Sequence, residues 1–186
     1  HKSDLLTWIV LSKSGGLWCD MDIIFNKSIN NLSFNSNQAE FNSDTVVCYD
    51  ADSPHPDGTP GKPIGFLLSS EKNIFFNYCL SLSKKSYIKE HYQSIGTYII
   101  HKISNNFEDC KKTFYSNKFS NLQSNSVYKI GHQNINQIFE ENVYEQIKDE
   151  IIGIHWFGGH PLSQKYNNLI TYENYNEFDS TISSII

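Results

Sequence analysis

Asp20 and Asp22, one residue apart, are the side chains whose type and spacing best suit chemistry. They follow the apolar run Leu17-Trp18-Cys19, and alternation along an extended chain would put both carboxylates on one face with Met21 opposite. Two such groups repel each other, and enclosing them costs hydration. A bound cation removes both penalties. Hard oxygen donors suit Mg²⁺ or Mn²⁺, often with a diphosphate completing the coordination shell. The tripeptide is common, however, and taken alone it is better explained as a solvated turn with two capping aspartates.

The elements that must position the pair precede it. Ser3 has the side chain of a helix N-cap, and Asp4 beside it suits the positive end of the helix dipole. Leu5, Leu6, Trp8, Ile9, Val10 and Leu11 cover most of a helix circumference, the pattern of a helix buried all round. Gly15 and Gly16 end it, because glycine accepts the left-handed position after a helix without a steric penalty. Leu17-Trp18-Cys19 then suits a buried strand that delivers the two acids to its end.

The order Ser3-Asp4-Leu5-Leu6, a hydrophobic run, Gly15-Gly16-Leu17-Trp18, then Asp20 and Asp22 resembles the signature of Asp-x-Asp glycosyltransferases with the GT-A fold. The likeness is to glycosyltransferase family 32, the capsular polysaccharide synthesis transferases and the glucosylating clostridial toxins. It is specific over about 25 residues. It implies an α/β chain with a mixed central sheet flanked by helices, in which Asp20 and Asp22 bind a divalent metal and the diphosphate of a UDP- or GDP-linked sugar. Asp4 would contact the donor, with Trp18 beside it. The arginine these families carry three residues after the first aspartate is Thr7 here, and all 15 basic residues of the chain are lysine.

A second segment, Ile151-Ile152-Gly153-Ile154-His155-Trp156-Phe157-Gly158-Gly159-His160, runs a hydrophobic strand into a histidine, an aromatic and a glycine turn. It resembles the late histidine segment of retaining GT-A transferases, which implies that His155 is the third protein ligand of the metal. A neutral imidazole beside two carboxylates suits Mn²⁺. Gly158 and Gly159 could let backbone N–H groups approach a phosphate. His160 is a lesser candidate.

Length and composition bound the rest. With 186 residues, 14% of them aromatic, the chain suits one globular domain spanning 1–186. A net charge of −5 argues against a nucleic-acid surface. No apolar run approaches the ~18 residues of a membrane span, and no signal peptide is recognisable, which favours a cytoplasmic or membrane-peripheral setting. Cys19, Cys48, Cys79 and Cys110 form no paired zinc motif, and the first three lie in apolar runs, as buried thiols do. By the resemblance, an N-terminal nucleotide-binding half would normally precede Ser3, and the 186 residues would be the C-terminal part of a longer catalytic domain.

Further along, Thr45–Tyr49 reads as a strand. Asp50 to Pro63 is a loop holding four of the five prolines. Asp50 and Asp52 there suit turn formation, and loop polarity accounts for His55 and Asp57. Ile64–Ser69 suits a buried strand, Asn73–Leu82 an amphipathic helix, and Ile95, Ile99 and Ile103 the buried face of another. His101 suits a surface or internally satisfied histidine better than a ligand. Phe107–Tyr115 reads as a short helix, Ser126–Ile130 as a strand, and the C-terminal residues as a helix packing through Tyr172, Phe178, Ile182 and Ile185. Three functions fit these features: a retaining, metal-dependent transferase acting on a glycan or protein hydroxyl; a non-catalytic sugar-nucleotide or glycan-binding domain; and an aspartyl phosphotransferase, which the Gly-Gly before the acids and Ile23-Ile24 after them disfavour.

Overall fold

The computed structural model describes residues 1–29, 46–47, 64–69, 71–106, 130 and 134–186. The expected proline-rich loop with Asp50, Asp52, His55 and Asp57, most of the strand expected at 45–49 and 126–130, the helix expected at 107–115, Cys48, Cys110 and the side chain of His101 lie outside the described residues. The chain is of mixed α/β type and divides into two compact units, His1–Cys19 with Phe34–Leu122, and Asp20–Ser33 with Gln123–Ile186.

In the first unit, helix α1 spans Lys2–Lys13. Ser3 does not cap it. The N-cap is His1, and Ser3 lies inside the first turn, where its carbonyl accepts the Thr7 hydroxyl at 3.0 Å. Nor is α1 buried all round: Thr7, Trp8, Leu11 and Ser12 are enclosed while Leu5, Leu6 and Val10 are exposed. Composition around the helix was a poor guide because burial follows the one face that meets a partner element. The two buried hydroxyls on that face are satisfied within the helix, Thr7 by Ser3 and Ser12 by the Ile9 carbonyl at 3.0 Å. Gly15 and Gly16, at φ 62° and 94°, take the left-handed backbone that stops the helix.

Strand β1 (Gly16–Cys19) follows. It pairs antiparallel with β4 (Phe66–Ser69), Trp18 opposite Leu67, and β4 pairs antiparallel with β3 (Val46–Val47) on its other edge. Helix α2 (Ile74–Ser86) runs a turn beyond its expected end, and the buried Asn73 side chain caps it by accepting the amides of Phe75 and Phe76. Helix α3 spans Thr97–Asn106 and buries Ile99, Ile100 and Ile103, with Ile95 just before it. These side chains join Trp8, Leu11, Leu67, Phe75, Phe76 and the thiol of Cys79 in one core. Trp8 stacks on Phe76 at 5.8 Å between ring centroids and donates its indole N–H to the Ile95 carbonyl at 2.6 Å.

The second unit holds strand β2 (Ile23–Phe25), antiparallel to β5 (Gly153–His155), with Ile23 opposite His155 and Phe25 opposite Gly153. The amides of Asn26 and Lys27 extend the ladder to the Ile152 carbonyl. Its helices are short: α4 (Asn136–Phe139), α5 (Tyr144–Ile147), α6 (Pro161–Tyr166) and α7 (Thr181–Ile185). Ser180 caps α7, and Thr181 ties it to the Glu141 carbonyl through both amide and hydroxyl. Helix α7 buries Thr181, Ile182 and Ser183, whereas Tyr172, expected to pack, is exposed. Among the described residues no helix is long and apolar enough to cross a membrane, and every strand pair is antiparallel.

Replacing Trp8 by Phe would leave the buried Ile95 carbonyl without its donor and open a void. A loss of about 1–3 kcal/mol is expected, read as a lower urea midpoint at unchanged slope.

Candidate metal centre

The β2–β5 ladder sets the site. His155 ends β5 directly opposite Ile23, so Asp22, one residue before Ile23, lies beside the chain leaving β5. The Trp156 amide donates to the Asp22 carbonyl at 2.9 Å, which carries the pairing one step past the ladder. Residues 21 and 22 form a turn, Met21 is fully exposed at its tip, and Asp20 and Asp22 flank it. One ligand atom each from Asp20, Asp22 and His155 then lies within 4.8 Å of the others. The two carboxylates are half-buried and the imidazole is buried.

Asp22 is held through both carboxylate oxygens. Its Oδ1 lies 3.0 Å from His155 Nε2, and its Oδ2 accepts the Gly158 N–H at 2.7 Å. Burial pushes the Asp22 carboxyl up, but the hydrogen bond and charge of His155, with the Gly158 amide, outweigh it and hold the group below its usual value. The carboxylate is therefore set in its ionised form. Phe157 stacks on His155 at 4.2 Å between centroids and takes a left-handed backbone with φ 50°. That unusual conformation turns the next amide, Gly158, back toward Asp22.

This donor set can hold a cation. Two carboxylate oxygens and an imidazole nitrogen are a mixed hard and borderline set, suited to a divalent ion.

The structure brings Asp20, Asp22, His155 and Gly158 together within the second unit. Asp4 and Trp18 belong to the first. Asp4 lies in the opening turn of α1 with its carboxyl carbon against Gly96, where an added Cβ would come within 3.3 Å. Trp18 packs, half-buried, against that unit's core. The Gly158 amide is directed at Asp22. His160 caps α6, its Nδ1 accepting the Leu162 amide at 3.2 Å.

Two residues were not anticipated. Phe157 sets the turn, and nothing in its type announces a left-handed backbone. Ser163, fully buried, donates its hydroxyl to the Trp156 carbonyl at 2.6 Å. The His160-Pro161 pair was a usable signal there, since proline favours the first helical position and would have placed Ser163 in a first turn facing back toward the histidine segment.

A family model described as capsular polysaccharide synthesis protein matches residues 1–178. A comparison with curated proteins gives no match.

The lowered Asp22 carboxyl has a sign-definite consequence. Its contribution to stability is complete above the unfolded value of about pH 4 and is lost as pH falls through the lower folded value. In protein stripped with EDTA, urea midpoints measured from about pH 6 to about pH 3 should fall less steeply for Asp22→Asn than for the parent. Parallel curves would mean that the carboxylate is not held as described.

Proposed function

The chain belongs to the capsular polysaccharide synthesis protein family, which places it in polysaccharide biosynthesis, and from that premise we propose that it is a metal-dependent glycosyltransferase of GT-A type. It moves a sugar from a UDP- or GDP-linked donor to a hydroxyl of a glycan or protein acceptor, with retention of configuration. The observation that carries this reading is the convergence of Asp20, Asp22 and His155 within 4.8 Å.

Asp20, Asp22 and His155 would hold Mn²⁺ or Mg²⁺, which when bound neutralises the charge of a departing nucleoside diphosphate. The chain's own contribution is placement. His155 is fixed between the Phe157 ring and the Asp22 carboxylate, so its ring plane is set before a donor arrives. Asp22 is ionised and anchored, so little reorganisation is needed on loading. Gly158 serves the donor site through Asp22. Retaining transfer relies on orientation of donor and acceptor and on stabilised charge, so no separate general base is assigned.

One observation favours a second reading, a sugar-nucleotide or glycan-binding domain without turnover. Thr7 stands where the resembling transferases carry arginine, and its hydroxyl is buried and bonded within α1. That position therefore offers no cation to a phosphate.

Hydrolysis of UDP- and GDP-sugars, followed with and without Mn²⁺, separates the two. The transferase reading expects Mn²⁺-dependent turnover that Asp22→Ala lowers by at least about 100-fold. Donor binding with no turnover from any of these sugars would leave the binding domain, and failure to bind either Mn²⁺ or a donor would remove both.

A further inference from the structure

The two oxygens of Asp22 have different partners. Oδ2 accepts the Gly158 amide at 2.7 Å, and Oδ1 faces His155 Nε2 at 3.0 Å. Oδ1 is thus the oxygen beside the imidazole that would share a cation with Asp20, and Oδ2 is the one held by the backbone. Coordination through both oxygens would make Oδ2 share its electron pairs between the cation and that amide, which favours Oδ1 as the donor. We propose that the Trp156–Gly158 turn, locked by Ser163, is a positioning device that makes Asp22 a one-oxygen metal ligand through Oδ1. This rests on the metal-dependent reading above.

Each residue of the turn is tied down. The Trp156 amide donates to the Asp22 carbonyl at 2.9 Å, and the Trp156 carbonyl accepts the Ser163 hydroxyl at 2.6 Å. The Phe157 carbonyl accepts the His160 amide at 2.7 Å, and the Phe157 ring is buried against His155. At Gly158 an added Cβ would meet the Trp156 ring at 3.3 Å and Asp22 Oδ2 at 3.4 Å, so glycine keeps the backbone close to the carboxylate. Ser163 is the one side chain in this set that lies outside the ligand cluster and fixes the turn from α6. Ser163 is completely enclosed, so losing its hydroxyl removes a bond that holds the turn from its packed side. It is a positioning residue. It acts on the cation through Trp156, Gly158 and Asp22 in turn.

Two measurements on the full chain test this. Mn²⁺ affinity, read by electron paramagnetic resonance of the free ion, is compared between the parent and Ser163→Ala. An approximately tenfold weaker affinity is expected for the variant at matched circular dichroism. Equal affinity overturns the role of Ser163. The infrared difference spectrum of the parent with and without Mg²⁺, its Asp22 bands assigned by loss in Asp22→Asn, reads the coordination mode without depending on the Ser163 variant. A splitting between the antisymmetric and symmetric carboxylate stretches that widens on loading is expected of one-oxygen binding. A narrowed splitting signals two-oxygen binding and overturns the inference even if the variant fails to fold. If the parent binds neither Mn²⁺ nor Mg²⁺, the metal reading itself fails and this inference falls with it, an outcome distinct from metal binding that is indifferent to Ser163.

Discussion

The three-pair ladder between β2 and β5 is the constraint on which the candidate site depends. It sets His155 opposite Ile23 and so brings the chain after β5 alongside Asp22. A two-stranded ribbon is marginal by itself. This one is supported by burial of Ile23, Ile152 and Ile154 and by a close approach at Gly153, where any Cβ would fall 2.6 Å from the Ile24 carbonyl oxygen. Glycine at that point is a packing requirement, because no other residue lets the two backbones come so near.

From that ladder the electrostatics follow. Asp22 is enclosed enough for burial to oppose its charge, yet it receives one bond from an imidazole and one from a backbone amide, and these prevail. An acid held ionised, with its oxygens assigned to different partners, is prepared for a cation in a way that a solvated carboxylate is not. The cost of this preparation is local. Phe157 carries the left-handed backbone that aims the amide, and its ring recovers part of that cost by packing on His155.

The first unit shows the same economy with different means. Trp8 joins α1 to the segment before α3 through its indole N–H and to α2 through its ring, so one residue links two helices and the segment that leads into a third. Thr7, next to it, turns its hydroxyl inward to the helix. The position that carries arginine in the resembling transferases is thus a packing position in this chain and presents no cation.

Much of this was legible in the order of residues. Gly15-Gly16 ending α1, Asn73 opening α2, the isoleucine spacing of α3 and the apolar approach to His155 are local patterns, fixed by backbone sterics, capping and periodicity within a few residues. The pairing of Asp20 with Asp22 was equally local. Local pattern failed where burial depended on a partner: α1 has apolar residues on nearly every side but encloses one face, and Tyr172 lies exposed despite its type. The meeting of Asp22 with Gly158, 136 residues later, belongs to tertiary structure alone. So do the different partners of Oδ1 and Oδ2 and the bond from Ser163 to Trp156. Each depends on strand register and on one amide's direction, and both are decided by packing between segments that the sequence keeps far apart.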